Sequence, residues 1–116
     1  MKCLLAALAG LSLLIVACGG APPPNAALAS AEAAARSARE VGANNVPAAA
    51  LHLKLSEEQI AKAKAEIGAD HNESAALMCM RAQADAELAL ALAREANARV
   101  EAQSAKDQAA KARGGN

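Results

Sequence analysis

The sequence predicts an all-α protein, an alanine-rich antiparallel three-helix arrangement with a long C-terminal helix. Three observations predict it. Roughly a third of the residues are alanine, the residue with the best helix propensity. Apolar side chains recur three and four apart over long stretches, as on one face of a helix. Breaks at Gly42 and Gly68 divide the pattern into three. A buried methyl contributes only about 0.8 kcal/mol, against ~1.5–3 kcal/mol for a large aliphatic side chain. The core is therefore expected to be thin, with helices packed closely through small side chains.

A leader precedes the helices. Lys2 supplies a positive charge, and Leu4 to Ala17 form an apolar run. A membrane-spanning helix needs roughly 20 apolar residues, so this shorter run suits a secretory signal peptide over residues 1–17. The run ends Ile15-Val16-Ala17-Cys18-Gly19-Gly20. The aliphatic pair, the small residue and the cysteine resemble the bacterial lipobox. That resemblance implies cleavage before Cys18, a diacylglyceryl group on its thiol, and an acyl chain of the palmitate kind on the new amino group. One acyl chain holds a protein only marginally to a membrane, and two hold it stably. Gly19 rather than Asp follows the cysteine, as in Gram-negative lipoproteins that go to the periplasmic face of the outer membrane.

Residues 18–24 read as the lipidated cysteine and a tether. The glycines loosen it and Pro22 to Pro24 favour an extended chain. Six residues reach about 20 Å at most, enough to lift a domain off a bilayer. The helical domain spans 25–113.

The first helix is expected over 25–41, with Asn25 as N-cap. Leu28, Ala31, Ala35 and Ala38 form its apolar stripe, and Glu32, Arg36 and Glu40 form an i,i+4 ladder on another face. Gly42 reads as a C′ stop and Ala43-Asn44-Asn45 as a turn. The second helix is expected over 47–67, with Pro47 in its first turn and Gly68 ending it. Leu53, Ile60 and Ile67 are seven apart, with Ala49 and Ala63 between them. Lys54, Glu58, Lys62 and Glu66 form an alternating solvent face.

Asp70-His71-Asn72-Glu73 resembles a capping box opening a third helix over 70–113. That helix would be about 65 Å long, twice the second. Leu77, Ala84, Leu88, Leu92, Ala96 and Val100 are expected to be its buried side. Beyond Val100 alanine alternates with polar residues, so Glu101 to Arg113 is expected to overhang, pointing away from the membrane. Residues 114–116 form a tail.

Composition narrows the function. Lys2 is lost with the leader, which leaves 11 basic side chains against 12 acidic ones. No basic patch for nucleic acid or polybasic lipid-binding run remains. The chain has no Phe, Tyr or Trp, which excludes base-stacking platforms and aromatic cages. No P-loop, nucleophile elbow or isolated carboxylate pair is present. His52 and His71 lie on different helices without a cysteine or histidine at ligand spacing, so no metal and no cofactor are expected.

Two features stand out. Cys79 is the only thiol left after lipidation, either an inert, partly covered group or a link to a second chain in an oxidising compartment. Arg81 and Asp85 are four apart near the Leu88–Leu92 side. They form either a buried ion pair that pins helix register or a boundary bridge worth under about 1 kcal/mol.

The stretches Ala27-Leu28-Ala29-Ser30-Ala31-Glu32-Ala33-Ala34, Gly42 to Pro47, Ala61-Lys62-Ala63-Lys64 and Asp85-Ala86-Glu87-Leu88-Ala89 resemble the bacterial lipoprotein family of domain of unknown function 4398 (DUF4398). The resemblance covers Asn25 to about Lys111. It implies a lipid-anchored helical domain and brings no catalytic residues. Some relatives carry a peptidoglycan-binding domain after the helices, which this chain lacks.

The function expected is a non-enzymatic envelope lipoprotein, a helical spacer or protein-docking module with Glu101 to Arg113 as its contact element, for a partner protein or self-association. A carrier of a small hydrophobic ligand is the alternative. It needs a cavity of a few hundred Å³, and close alanine packing leaves little room for one. A covalently wall-linked trimer like the small murein lipoprotein does not fit, because the chain breaks at Gly42 and Gly68 and ends in Asn116 rather than lysine.

Overall fold

The computed structural model describes residues 20–115. The leader, the lipobox residues Ile15, Val16, Ala17 and Cys18, and Asn116 lie outside them. The described residues form a helical bundle of three α-helices with no strand: α1 over Asn25–Glu40, α2 over Pro47–Gly68 and α3 over Asn72–Gly114. None of them is long and apolar enough to cross a membrane.

Helix α1 begins at Asn25, so its cap falls one residue earlier than expected. Pro24 occupies the N-cap position without a side-chain hydrogen bond, and Asn25 is already helical. Proline has no amide hydrogen to leave unpaired there. The stripe is as expected at Ala31, Ala35 and Ala38, all buried, with Leu28 partly so. The Glu32–Arg36–Glu40 ladder does not form; Glu32 instead reaches across to Lys64 on α2, 2.6 Å away.

Gly42 ends α1 with φ of +90°, a left-handed conformation that costs glycine nothing. A short 3-10 turn, Ala43–Asn45, follows, and Pro47 then opens α2 at its first position. Ala49, Leu53, Ile60 and Ala63 are buried as the pattern indicated, with Ser56 among them and Ile67 half-buried.

Gly68 does not stop α2 by its own conformation. The left-handed residue is Asp70, with φ of +59°. The His71 amide donates to the Glu66 carbonyl at 2.9 Å, and the Asp70 amide to the Ile67 carbonyl at 3.1 Å. This pairing closes a Schellman motif, and aspartate is among the few side chains that tolerate it. Asp70 is therefore committed to the end of α2. The expected capping box does not form, and His71 caps α3 without a side-chain bond.

The buried face of α3 differs from the expected one. Leu77, Leu88 and Val100 are 59%, 43% and 70% exposed, Ala84 is exposed, and Leu92 and Ala96 are half-buried. The residues that face α1 and α2 are Ala75, Cys79, Ala82, Ala86, Ala89 and Ala93. The physical reason is proximity. Three helices that meet through Ala31, Ala35, Ala38 and Leu53 take methyl groups of α3 at the centre of the seam, and the α3 leucines that reach it, Leu90 and Leu92, pack only partly buried at its edge.

The pairings between helices fix their order. Glu32 and Arg39 of α1 meet Lys64 and Glu57 of α2, so later residues of one meet earlier residues of the other. Asn97 of α3 donates to the Val41 carbonyl at 3.1 Å. Past Asn97 every described residue of α3 is exposed.

Candidate functional site

Three places on the bundle gather polar or exposed groups: a carboxylate on the α2–α3 seam, the start of α3, and the outer face and free end of α3.

Asp85 is the centre of the first. Its side chain is 22% exposed. One carboxylate oxygen lies 2.9 Å from His52 Nδ1, and the other accepts from Gln59 Nε2 at 2.7 Å. Arg81 is exposed and makes no ion pair among the described residues. The expected Arg81–Asp85 pair is thus replaced by a clamp between helices. His52 and Gln59 are seven apart on α2, which puts them on one face; that spacing was the available signal. A single carboxylate held by two donors ties α2 to α3 and fixes their register.

The second place is the start of α3. Asn72 is buried, and its Nδ2 donates to the Ala21 carbonyl at 2.8 Å. The segment that leads into α1 is therefore fastened to the start of α3 at Ala21. Beside it His71 Nδ1 lies 3.0 Å from Glu66 Oε2. No pattern in the sequence points to Asn72, because its partner is a backbone carbonyl far away in the chain.

Cys79 is buried in the α3 face, and no disulfide partner is present among the described residues. Burial pushes its thiol above the ordinary value, and the Glu32 charge adds to this. A link to a second chain would require the helices to part. No group of three metal-ligating side chains converges among the described residues.

Between α1 and α2 lies an open groove of about 550 Å³, floored by Ala35 and Ile60 and rimmed by Glu32, Arg36, Arg39, Glu57 and Lys64. Arg39 bonds Glu57 at 2.7 Å across it. Lys64 holds the Glu32 carboxyl below its ordinary value, first by a hydrogen bond and then by charge.

The third place is the back and free end of α3. Leu77, Met80 and Leu88 are exposed on the side away from α1 and α2. The free end carries its own i,i+4 bonds, Gln103 to Asp107 at 2.9 Å and Gln108 to Ser104 at 3.4 Å. The expected overhang is thus present from Glu101 to Arg113, and the packed part ends slightly earlier, at Asn97.

The chain matches no family model, no curated protein and no solved structure.

Proposed function

We propose that this protein is a non-enzymatic lipoprotein of the bacterial envelope, related to the DUF4398 lipoproteins. In this reading the leader 1–17 is removed, lipid on Cys18 holds the chain on the periplasmic face of the outer membrane, and the domain is an antiparallel three-helix spacer or docking module. The observation that carries the docking role is the free end of α3, which extends past the last contact with α1 as an unbroken helix. It serves no purpose in the packing of its own chain.

The tether bond at Ala21 gives the module a direction. Only Gly19 and Gly20 lie between Cys18 and Ala21, so about 10 Å at most lies between the anchor and the clamp on Asn72. The α2–α3 turn then rests near the bilayer surface, and the free end of α3 points outward. The tether sets this orientation instead of lifting the domain freely.

The test is chemical crosslinking in intact envelopes, comparing the full chain with one truncated after Val100. Adducts are expected with the full chain and lost on truncation, with helical content otherwise retained. A truncated chain that folds and still yields every adduct refutes the docking role. Intact mass of the purified protein tests the anchor: lipid on Cys18 is expected, and Cys18→Ser should abolish it.

A further inference from the structure

The clamp on Asp85 also orders what lies around it on the outside of the α2–α3 seam. On α2, Leu55 falls three residues beyond His52 and four before Gln59, and Leu51 falls four before Leu55, so all four share a face. On α3, Leu88 falls three residues beyond Asp85 and Arg81 four before it. Asp85 holds both His52 and Gln59, which brings Leu55 and Leu88 side by side over it. Leu51, Leu55 and Leu88 are exposed, and Leu92, one turn beyond Leu88, is half-buried. Exposed leucines gathered in one place and rimmed by charge mark an interaction surface.

The rim tells what the surface fits. Lys62 lies seven residues from Leu55 on α2, and Arg81 seven from Leu88 on α3, both toward the α2–α3 turn. Seven residues are two turns, or about 10 Å. Both cations are exposed, and neither makes an ion pair among the described residues. The carboxylates of the same face are engaged within the chain: Asp85 in the clamp, Glu58 with Lys54, Glu66 with His71 and Glu95 with Arg99. The face therefore offers leucines at one end and two free positive charges at the other.

We propose that this face docks an amphipathic helix of a partner protein, one with apolar side chains a turn apart and carboxylates two turns further along. The leucines receive its apolar side, as in other helix-in-groove contacts, and its carboxylates pair with Lys62 and Arg81. A second copy of this chain does not fit, because its carboxylates here already have partners and both pairs of cations would be left without any. The surface is separate from the free end of α3 and does not depend on the lipid anchor.

The experiment uses the full chain held in bilayer discs of uncharged lipid. The probe is a fluorescent synthetic helix of about 18 residues, five turns, with leucines one turn apart and two glutamates two turns further along; a second probe has lysines for the glutamates. Anisotropy should show the glutamate probe binding at least about ten times more tightly than the lysine probe. Lys62→Glu with Arg81→Glu should reverse that preference, a gain that an unfolded variant cannot give. Leu55→Ser with Leu88→Ser should weaken both probes, and Lys106→Glu, on the free end of α3, should change neither. Truncation after Val100 should leave binding intact, which separates this surface from the docking role of the free end. Equal affinity for the two probes, or equal weakening by Lys106→Glu, overturns the proposal. So does a dimer of the chain that Leu88→Ser dissolves, which marks a second copy as the occupant, or displacement of the probe by anionic lipid added to the discs, which marks a bilayer.

Discussion

Replacing Ala86 by leucine tests the alanine core directly. Ala86 is fully buried in the cluster that holds Ala31, Ala35, Leu53 and Ile60. An isobutyl group in place of its methyl has no void to enter, since its neighbours on both other helices already touch across small side chains. Overpacking of this kind costs about 1–3 kcal/mol. In a domain of this length each kcal/mol lowers the melting midpoint by about 4–8 °C, so a fall of about 10 °C is expected. Thermal melts followed by far-ultraviolet circular dichroism measure it. The companion is Ala110→Leu, on the exposed free end of α3, which should change stability by no more than about 0.5 kcal/mol. An Ala86→Leu protein that melts within about 2 °C of the parent, or above it, would show that the helices have room to spread. The small-residue account of which face is buried would then be wrong.

The other predictions concern single side chains. Asp85→Ala removes the acceptor of two hydrogen bonds and should cost about 1–3 kcal/mol, whereas Arg81→Ala should stay within about 0.5 kcal/mol; equal losses in denaturant melts would restore the Arg81–Asp85 pair. Cys79, buried and with its thiol pushed upward, should alkylate far more slowly in folded protein than in denaturant, and equal rates would place it at the surface. The Glu32 carboxyl is held below 4.5 by Lys64. Because the folded value is the lower one, the pair stabilises above the unfolded value, and that contribution is lost as pH falls through the folded value. A side-chain NMR titration should show Glu32 below 4.5 in the parent and closer to it in Lys64→Met; an identical midpoint in both proteins refutes the link.

The element boundaries were legible because local chemistry sets them. Gly42 and Pro47 punctuate the chain at fixed conformations, and no residue interrupts α3 before Gly114. The core face of α2 was legible because its large and small apolar residues coincide, with Leu53 and Ile60 beside Ala49 and Ala63. On α3 they do not coincide. Ranking residues by hydrophobicity selects Leu77 and Leu88, while the space between close helices selects Ala82, Ala86 and Ala89, and the helix spacing is a tertiary quantity. The capping signature at Asp70 and Glu73 failed for a related reason: one residue cannot serve the end of α2 and the start of α3, and the Schellman closure uses it. His52 and Gln59 were visible as residues on one face, but their pairing with Asp85 depends on how α2 slides along α3. The free end of α3 was readable from its lack of large apolar residues, and the Asn72 clamp was not readable at all.

The free end of α3 has the means to persist without a partner. An isolated helix of this length would be marginal in water, because nucleation is costly. Here the turns before Asn97 are already held by packing, so each further residue needs only propagation. Alanine, glutamine, lysine and arginine propagate well, and the Gln103–Asp107 and Gln108–Ser104 contacts add to this. Lys111 and Arg113 sit in the last turn, where positive charge offsets the helix dipole. Seventeen residues past Asn97 reach about 25 Å beyond the bundle. On the proposed docking role, a partner finds this arm already formed and does not have to order it, which lowers the entropy cost of docking. In the proposed function the same property lets the arm act as a spacer when nothing is bound. Spacer and docking element, as proposed, are then two uses of one self-supporting helix.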